Sequence, residues 1–342
     1  AATSKGFLTE QKALFDANDL GNSTIACNAL LDAYGAFNCA GEQMPVHEDA
    51  ANAIKFIKKS KKDGKPFFIN LWLHEPHTPF HTVPKYEWRF RDMESEADRI
   101  YASVLSHADD RVGDVLKALD RLKLTDNTLV IFSSDNGPAR ASKPTELALS
   151  YDTATGAGWG IGAAKGITGG RKGYKGALFE GGVGAPFIAR WPGKIAAGKV
   201  DKQALLSAVD LLPTFCEVAG VKLPAGYKPD GLSQVAALKG NGSALRKKPL
   251  FWKMGAPWPA QKAKPDHWVA YAVVDQNWKL ASNRDSKYVE LYDLVADPFE
   301  KNDLKESKPE VVLSLLDKLE KWKATLPAKP TGKVFSAERA AR

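Results

Sequence analysis

Cysteine is scarce in these 342 residues: Cys27, Cys39 and Cys216 form neither a disulfide framework nor a CxxC zinc pattern. Cys27 and Cys39 would suit one bridge in an oxidising compartment, so the count leaves the compartment open. No apolar run approaches the roughly 20 residues of a membrane helix, and no membrane span is expected. The first residues, AATSKGFLTEQKALFDANDL, have neither the basic start nor the apolar stretch of a secretion signal. Gly-rich phosphate loops of P-loop or dinucleotide type are missing, and so is any nucleic-acid-binding motif, which argues against a nucleic-acid partner. The formal net charge of +8 would suit an anionic ligand. The lysines are scattered as much as clustered, at Lys58 to Lys62 and Lys247 to Lys248 among other places, and this reads as a solvated basic surface.

The residues present, 44% hydrophobic and 26% charged, describe a water-soluble globular protein with a large core and about two domains. The chain is organised around Thr128 to Gly137, TLVIFSSDNG. Leu129 to Phe132 has the composition of a strand buried on both faces, and it runs directly into Asp135, Asn136 and Gly137. In open α/β sheets ligands bind beyond the carboxyl ends of the strands, so a carboxylate and an amide oxygen there form half of a site for a hard cation. Phe67 to Leu73, FFINLWL, is a second apolar run, and it empties into His74-Glu75-Pro76-His77. Between the two, Val104, Ala108, Val112, Val115, Leu119 and Leu122 carry helical spacing across residues 101–122. Strand, helix, strand predicts a mainly parallel sheet with its connection crossing one face.

Upstream, residues 1 to 46 read as irregular, and Ala50, Ala53, Ile54 and Ile57 mark a helix that breaks at Lys58 to Lys65. Downstream of Gly137 a Gly-rich stretch reaches Gly182, and its Lys165, Arg171, Lys172 and Lys175 are the candidate cations for an anion. Phe187 to Trp191 reads as a further strand, and residues 210–218 as a helix with an Asp cap and Gly220 as its stop. Short aromatic-rich strands at 249–253, 267–274 and 278–282 predict a small antiparallel sheet. Ser307 and Glu310 suggest a capping box for a helix with the stripe Val312, Leu315, Leu316, Leu319 and Trp322, followed by a loose tail from Pro327. Trp72, Trp88 and Trp159 are candidates for stacking on sugar rings, and Trp72, inside an apolar run, reads rather as core.

The ordered segments FFINLWLHEPHTPF, DNTLVIFSSDNG, GYKGALFEGGVGAPFIARWPGKI, SAVDLLPTFCEVAG with Asp230-Gly231, and WKLASN…ELYDLVADPFEKNDL resemble the later two thirds of a type I sulfatase. The arylsulfatase A and N-acetylgalactosamine-6-sulfatase branch of the alkaline phosphatase superfamily is closest in style. The resemblance implies an alkaline-phosphatase-like α/β sandwich, with a large mixed sheet between helices and a smaller C-terminal antiparallel sheet carrying a packed helix. It implies a division into residues 1–242, the later part of the catalytic domain, and residues 243–342, the C-terminal subdomain. Asp135 and Asn136 match a metal-binding pair, usually for calcium, with two further Asp ligands expected upstream. His77 and Lys175 match the catalytic histidine and lysine that meet the sulfate, and His74, Arg171 and Lys172 become candidate substrate contacts. The implied reaction is hydrolysis of a sulfate ester of a small molecule or glycan by an enzyme that is secreted, periplasmic or lysosomal.

Departures from the family pattern shape the expectation. The formylglycine nucleophile arises from Cys- or Ser-x-Pro-x-Arg, and no cysteine stands in that context; Ser142-Lys143-Pro144-Thr145-Glu146 ends in Glu. The upstream Asp-Asp pair is absent as well, and Gly184 stands where Arg is frequent. These 342 residues alone are therefore expected to be inactive, poorly soluble or dependent on a missing N-terminal segment or a partner chain. Two other readings are a phosphodiesterase or phosphonate monoester hydrolase of the same superfamily, and a binding protein without a nucleophile.

Overall fold

The computed structural model describes residues 45–73, 75–77, 84–139, 166–240, 246–255 and 269–327. The expectations for residues 1–44, the Cys27 and Cys39 bridge, His74, the Ser142 segment, Trp159, Lys165 and the tail beyond Pro327 lie outside the described residues. The rest fall into two compact units, one drawn from Ala1–Leu129 with Ala139–Gly166, the other from Val130–Pro138 with Ile167–Arg342.

In the first unit α1 (Pro45–Lys62) buries Ala50, Ala53 and Ile57, the face read from the sequence. It runs a turn further than its apolar residues indicate, because Lys59, Lys61 and Lys62 meet the negative end of the helix dipole. Gly64, at φ 63°, lets the chain leave the helix, and Lys65 N–H donates to the Ser60 carbonyl at 2.9 Å. A single turn, α2 (Pro84–Glu87), precedes α3 (Glu96–Arg121). That helix starts five residues before the predicted one, since Ser95 Oγ accepts from Asp98 N–H at 3.3 Å and caps it. Its buried face, Ile100, Val104, His107, Ala108 and Leu119, packs on α1. Tyr86 of α2 is buried beside His107 and donates to Asp110 Oδ2 at 2.6 Å.

Phe67 to Leu73 departs from expectation. The segment pairs with no strand among the described residues, and Phe68 and Trp72 are 67% and 71% exposed. Exposure alternates with period two, Phe67, Ile69, Leu71 and Leu73 being half-buried, so the backbone has a strand's alternation without a strand's ladder. An apolar run selects the extended shape, but the hydrogen bonds of a ladder come from a neighbouring chain segment. The predicted parallel strand, helix, strand unit and the core placement of Trp72 are corrected accordingly.

In the second unit β1 (Val130–Ser133) pairs antiparallel with β2 (Phe187–Arg190), Val130 opposite Arg190 and Ser133 opposite Phe187. The single turn α4 (Glu180–Val183) lies just ahead of β2. β1 is half-buried at Val130 and Ile131 and exposed at Phe132 and Ser133, where burial on both faces was predicted. Helix α5 (Leu211–Ala219) follows a turn in which Ser207 and Asp210 cap each other, and it ends at Gly220, at φ 67°. Asp210 is buried and accepts from Arg246 Nη1 at 2.7 Å and from Leu232 N–H at 2.8 Å. After the single turn α6 (Val235–Leu238), four strands form an antiparallel meander: β3 (Leu250–Lys253), β4 (Tyr271–Asp275), β5 (Trp278–Ser282) and β6 (Val289–Asp293).

Alternation splits this sheet into two faces. Val273, Leu280 and Leu291 pack against Leu315 and Leu319 of α7 (Pro309–Thr325), with Trp322 stacked on Phe251 at 5.0 Å. Their sequence neighbours Ala272, Ala281 and Tyr292 face the other way and pack on Leu178 and Phe179. The Ser307 capping box does not form: Lys308 is the cap residue, Pro309 opens the helix, and Ser307 Oγ donates to the Leu304 carbonyl at 3.1 Å. The fold class is α/β: among the described residues, helices accompany the two-stranded β1 and β2 ladder and a four-stranded C-terminal antiparallel sheet with its packed helix.

Candidate functional site

Asp135 and Asn136 stand two and three residues past the end of β1, the position the apolar run predicted for a polar tip. Ser134 Oγ donates to the Asn136 carbonyl at 2.9 Å, and Asn136 Nδ2 donates to the Gly137 carbonyl at 2.8 Å. Among the described residues no hydrogen bond occupies the exposed Asp135 carboxylate or Asn136 Oδ1. A hard cation takes six to eight oxygens, so this pair suits part of a site. Among the described residues no group of three or more His, Cys, Asp or Glu side chains completes one.

The backbone beyond Asn136 is stitched to the loop that carries the candidate cations. Gly137 N–H donates to the Gly182 carbonyl at 2.9 Å, and Lys175 N–H donates to the Pro138 carbonyl at 2.8 Å. Glycine is required at 137, because a Cβ there would stand 1.9 Å from the Gly181 carbonyl oxygen. The loop also closes on itself through Gly181 N–H to the Lys172 carbonyl at 2.6 Å. Asp135, Asn136 and the loop from Arg171 to Gly182 thus belong to one connected piece of backbone.

The three loop cations differ. Arg171 is exposed and Lys175 half-buried, and among the described residues no hydrogen bond or ion pair occupies either side chain. Lys172 is engaged: its ammonium lies 2.5 Å from Glu290 Oε2 and 2.8 Å from the Tyr292 hydroxyl, over the Phe179 ring at 4.2 Å. His77 is exposed and belongs to the first unit, two residues after the buried Glu75.

The residues missed from the sequence lie under the loop, on the sheet face that meets Leu178 and Phe179. Lys279 of β5 has a side chain that is 0% exposed, donates to Glu180 Oε1 at 2.9 Å and is ion-paired with Glu300 Oε1 at 2.9 Å. Glu300 Oε2 in turn accepts from Glu180 N–H at 2.6 Å. Burial holds the Glu300 carboxyl above the usual glutamate range despite the pull of Lys279. Burial also pushes Glu290 upward, but hydrogen bonds from Lys172, Tyr288 and Tyr292 outweigh it and bring the carboxyl below that range. The Tyr292 hydroxyl is raised by its own burial and by Glu290. A lysine inside the apolar strand WKLAS was the available signal, and its partner Glu300 lies 21 positions away.

Two family models match the chain: one described as Sulfatase over residues 15–221, the other as N-sulphoglucosamine sulphohydrolase, C-terminal, over residues 172–325. The chain is 29% identical over 288 residues to an N-acetylgalactosamine-6-O-sulfatase of Bacteroides thetaiotaomicron, covering 81% of this chain and 51% of that protein. It is 30% identical over 203 residues to the N-acetylgalactosamine-6-sulfatase of Canis lupus familiaris, covering 59% of this chain and 34% of that protein. The chain therefore spans between a third and about half of the length of these relatives. Among solved structures, Ps i-CgsB superposes with a TM-score of 0.62 at 25% identity, covering 81% of this chain and 54% of that one; it has also been crystallised with k-i-k-neocarrahexaose.

Proposed function

The chain belongs to the sulfatase family, and from that premise we propose that it forms part of an enzyme that removes sulfate from a sulfated carbohydrate. The observation that carries this reading is the stitched backbone, which joins Asp135 and Asn136 to the loop bearing Lys175; the side-chain oxygens of the pair and the Lys175 ammonium have no hydrogen-bond partner among the described residues. A sulfate monoester develops negative charge on its non-bridging and leaving oxygens as it breaks, and fixed cations aimed at those oxygens lower the barrier. In this reading Lys175 holds a sulfuryl oxygen and Arg171 meets the anionic remainder of the substrate. His77 protonates the departing alcohol oxygen as a general acid. Asp135 and Asn136 would hold a calcium ion, which supplies further positive charge at the sulfuryl oxygens when bound. His74 and Lys172 remain assigned to the substrate side, Lys172 through its place in the loop rather than through a free ammonium.

The proposed nucleophile is a hydrated formylglycine; its Cys- or Ser-x-Pro-x-Arg motif does not occur in these 342 residues. A glycan substrate is supported by the relatives named for 6-sulfated N-acetylgalactosamine and by a neighbour crystallised with an oligosaccharide. The reading carries an exported enzyme; among the described residues no helix is long and apolar enough to cross a membrane.

The test is sulfate release, measured by ion chromatography, when the full-length gene product meets 6-sulfated N-acetylgalactosamine oligosaccharides and, in parallel, an aryl phosphodiester. Sulfate release that stops on chelation and returns with calcium is the expected result. Phosphodiester cleavage without sulfate release would replace the reading with the phosphodiesterase one. Binding of the oligosaccharide without any turnover would replace it with a binding protein.

A further inference from the structure

We infer that Lys279, on the C-terminal sheet, is a positioning residue for Lys175, holding the segment from Lys172 to Gly182 in the one conformation that presents the Lys175 ammonium. This rests on the proposed role of Lys175 in meeting sulfate. The segment stands on the sheet by two feet. At one end the Lys172 ammonium is held by Glu290 at 2.5 Å and Tyr292 at 2.8 Å, both on β6. At the other, Glu180 is bound twice, by Lys279 through its carboxylate and by Glu300 through its N–H. Between the feet Leu178 and Phe179 pack on Ala272, Ala281 and Tyr292 of the same sheet face.

The feet fix the middle because the segment has little freedom of its own. Gly181 N–H donates to the Lys172 carbonyl at 2.6 Å, closing residues 172–181 into a ring, and Ala177 N–H donates to the Tyr174 carbonyl at 2.9 Å. Lys175 is anchored inside that ring by its N–H on Pro138, three residues from Asp135. Movement of either foot is therefore transmitted to Lys175 and to the metal-pair tip together.

Stability alone does not explain this arrangement. Taking Lys279 wholly out of water is costly, and replacing a buried ion pair by apolar side chains of similar volume is often neutral or stabilising. Three carboxylates against two ammoniums also leave the cluster one negative charge over, which a purely apolar contact between loop and sheet would avoid. What the cluster adds to Leu178 and Phe179 is direction: the Lys279 ammonium meets Glu180 and Glu300 at 2.9 Å each, and such charge-assisted bonds are more exacting in geometry than an apolar contact.

The test uses the full-length gene product with K279M, K279R and E300Q, and with K175M alone and combined with K279M. Amide hydrogen exchange is followed by mass spectrometry over residues 172–182 and over β4 and β5. K279M is expected to speed exchange in the loop about tenfold or more while β4 and β5 stay protected, and K279R to restore most of the protection. On a sulfate ester, K279M is expected to lower kcat about tenfold in the wild-type background and to add nothing in the K175M background, as for residues acting as one unit. Unchanged loop exchange in K279M overturns the inference, as does a kcat loss that adds fully to that of K175M. E300Q keeps the shape of the cluster and reads the same loop amides if K279M does not fold; unchanged exchange there also overturns it. A wild-type protein without turnover on any sulfate ester removes the sulfatase reading, and the exchange measurement still decides whether Lys279 holds the loop.

Discussion

Lys172 and Lys175 lie three residues apart in one Gly-rich loop, and only the surroundings separate their roles. The Lys172 ammonium is spent on Glu290 and Tyr292, whereas that of Lys175 has no partner among the described residues. Replacing Lys175 by Met is expected to lower kcat by about two to three orders of magnitude, the usual effect of losing one donor to a developing oxyanion. K172M should cost less in kcat and show itself as faster loop exchange. Steady-state kinetics of the two variants side by side checks the distinction. Gly137 makes the same point through an absent atom. G137A must push the Gly181 carbonyl aside, so a loss of about 3 kcal/mol or more is expected in urea unfolding. From the sequence, Asp135, Asn136 and Lys175 stood out as candidates because each is a chemistry-bearing residue at a strand end or in a Gly-rich loop. Lys279, Glu290 and Glu300 were not, because their meaning depends on which face of a sheet they occupy.

The longer helices followed their local signals with misses at their ends, whereas among the strands Phe67 to Leu73 was predicted without forming a ladder among the described residues and β6 was not predicted. The buried stripe of α7 was predicted, and Leu319 is 0% exposed in the packed sheet face. L319A is expected to lose about 3 kcal/mol by the cavity it leaves, read as a lower urea midpoint at unchanged slope. The helix starts separate true caps from apparent ones. S95A should cost about 1 kcal/mol, because that hydroxyl accepts a helix N–H, while S307A should stay within about 0.5 kcal/mol, because its hydroxyl bonds Leu304 instead. A capping box written in the sequence fails here because Lys308, one residue later, takes the cap position ahead of Pro309. β6 escaped the sequence reading since VELYD mixes charge with apolar residues. Its Glu290 and Leu291 point to opposite faces, one toward Lys172 and one toward α7.

At the scale of the whole molecule the two buried glutamates give stability opposite slopes with pH. Glu290 is held below its ordinary range in the folded state, so its contribution is present above the unfolded value, about 4.3, and is lost as pH falls through the folded one. Glu300 is held above that range, so its contribution is greatest in acid and is lost as pH rises through its folded value. Urea unfolding across about pH 3 to 7 should therefore show E290Q losing most against wild type at the upper end. E300Q should lose least there, and parallel curves for both variants would contradict the assigned shifts. The apolar faces of α1, α3 and α7 and the polar tip at Asp135 and Asn136 were written in the sequence, since these rest on spacing within short stretches, and the family was carried by the resemblance of its ordered motifs. Which strands pair, that Phe67 to Leu73 meets no ladder among the described residues, and which of two neighbouring lysines is engaged there were settled only by the tertiary structure. The reason is physical: a ladder hydrogen bond or a buried ion pair needs a partner brought from far along the chain, and local periodicity specifies only which way each side chain points.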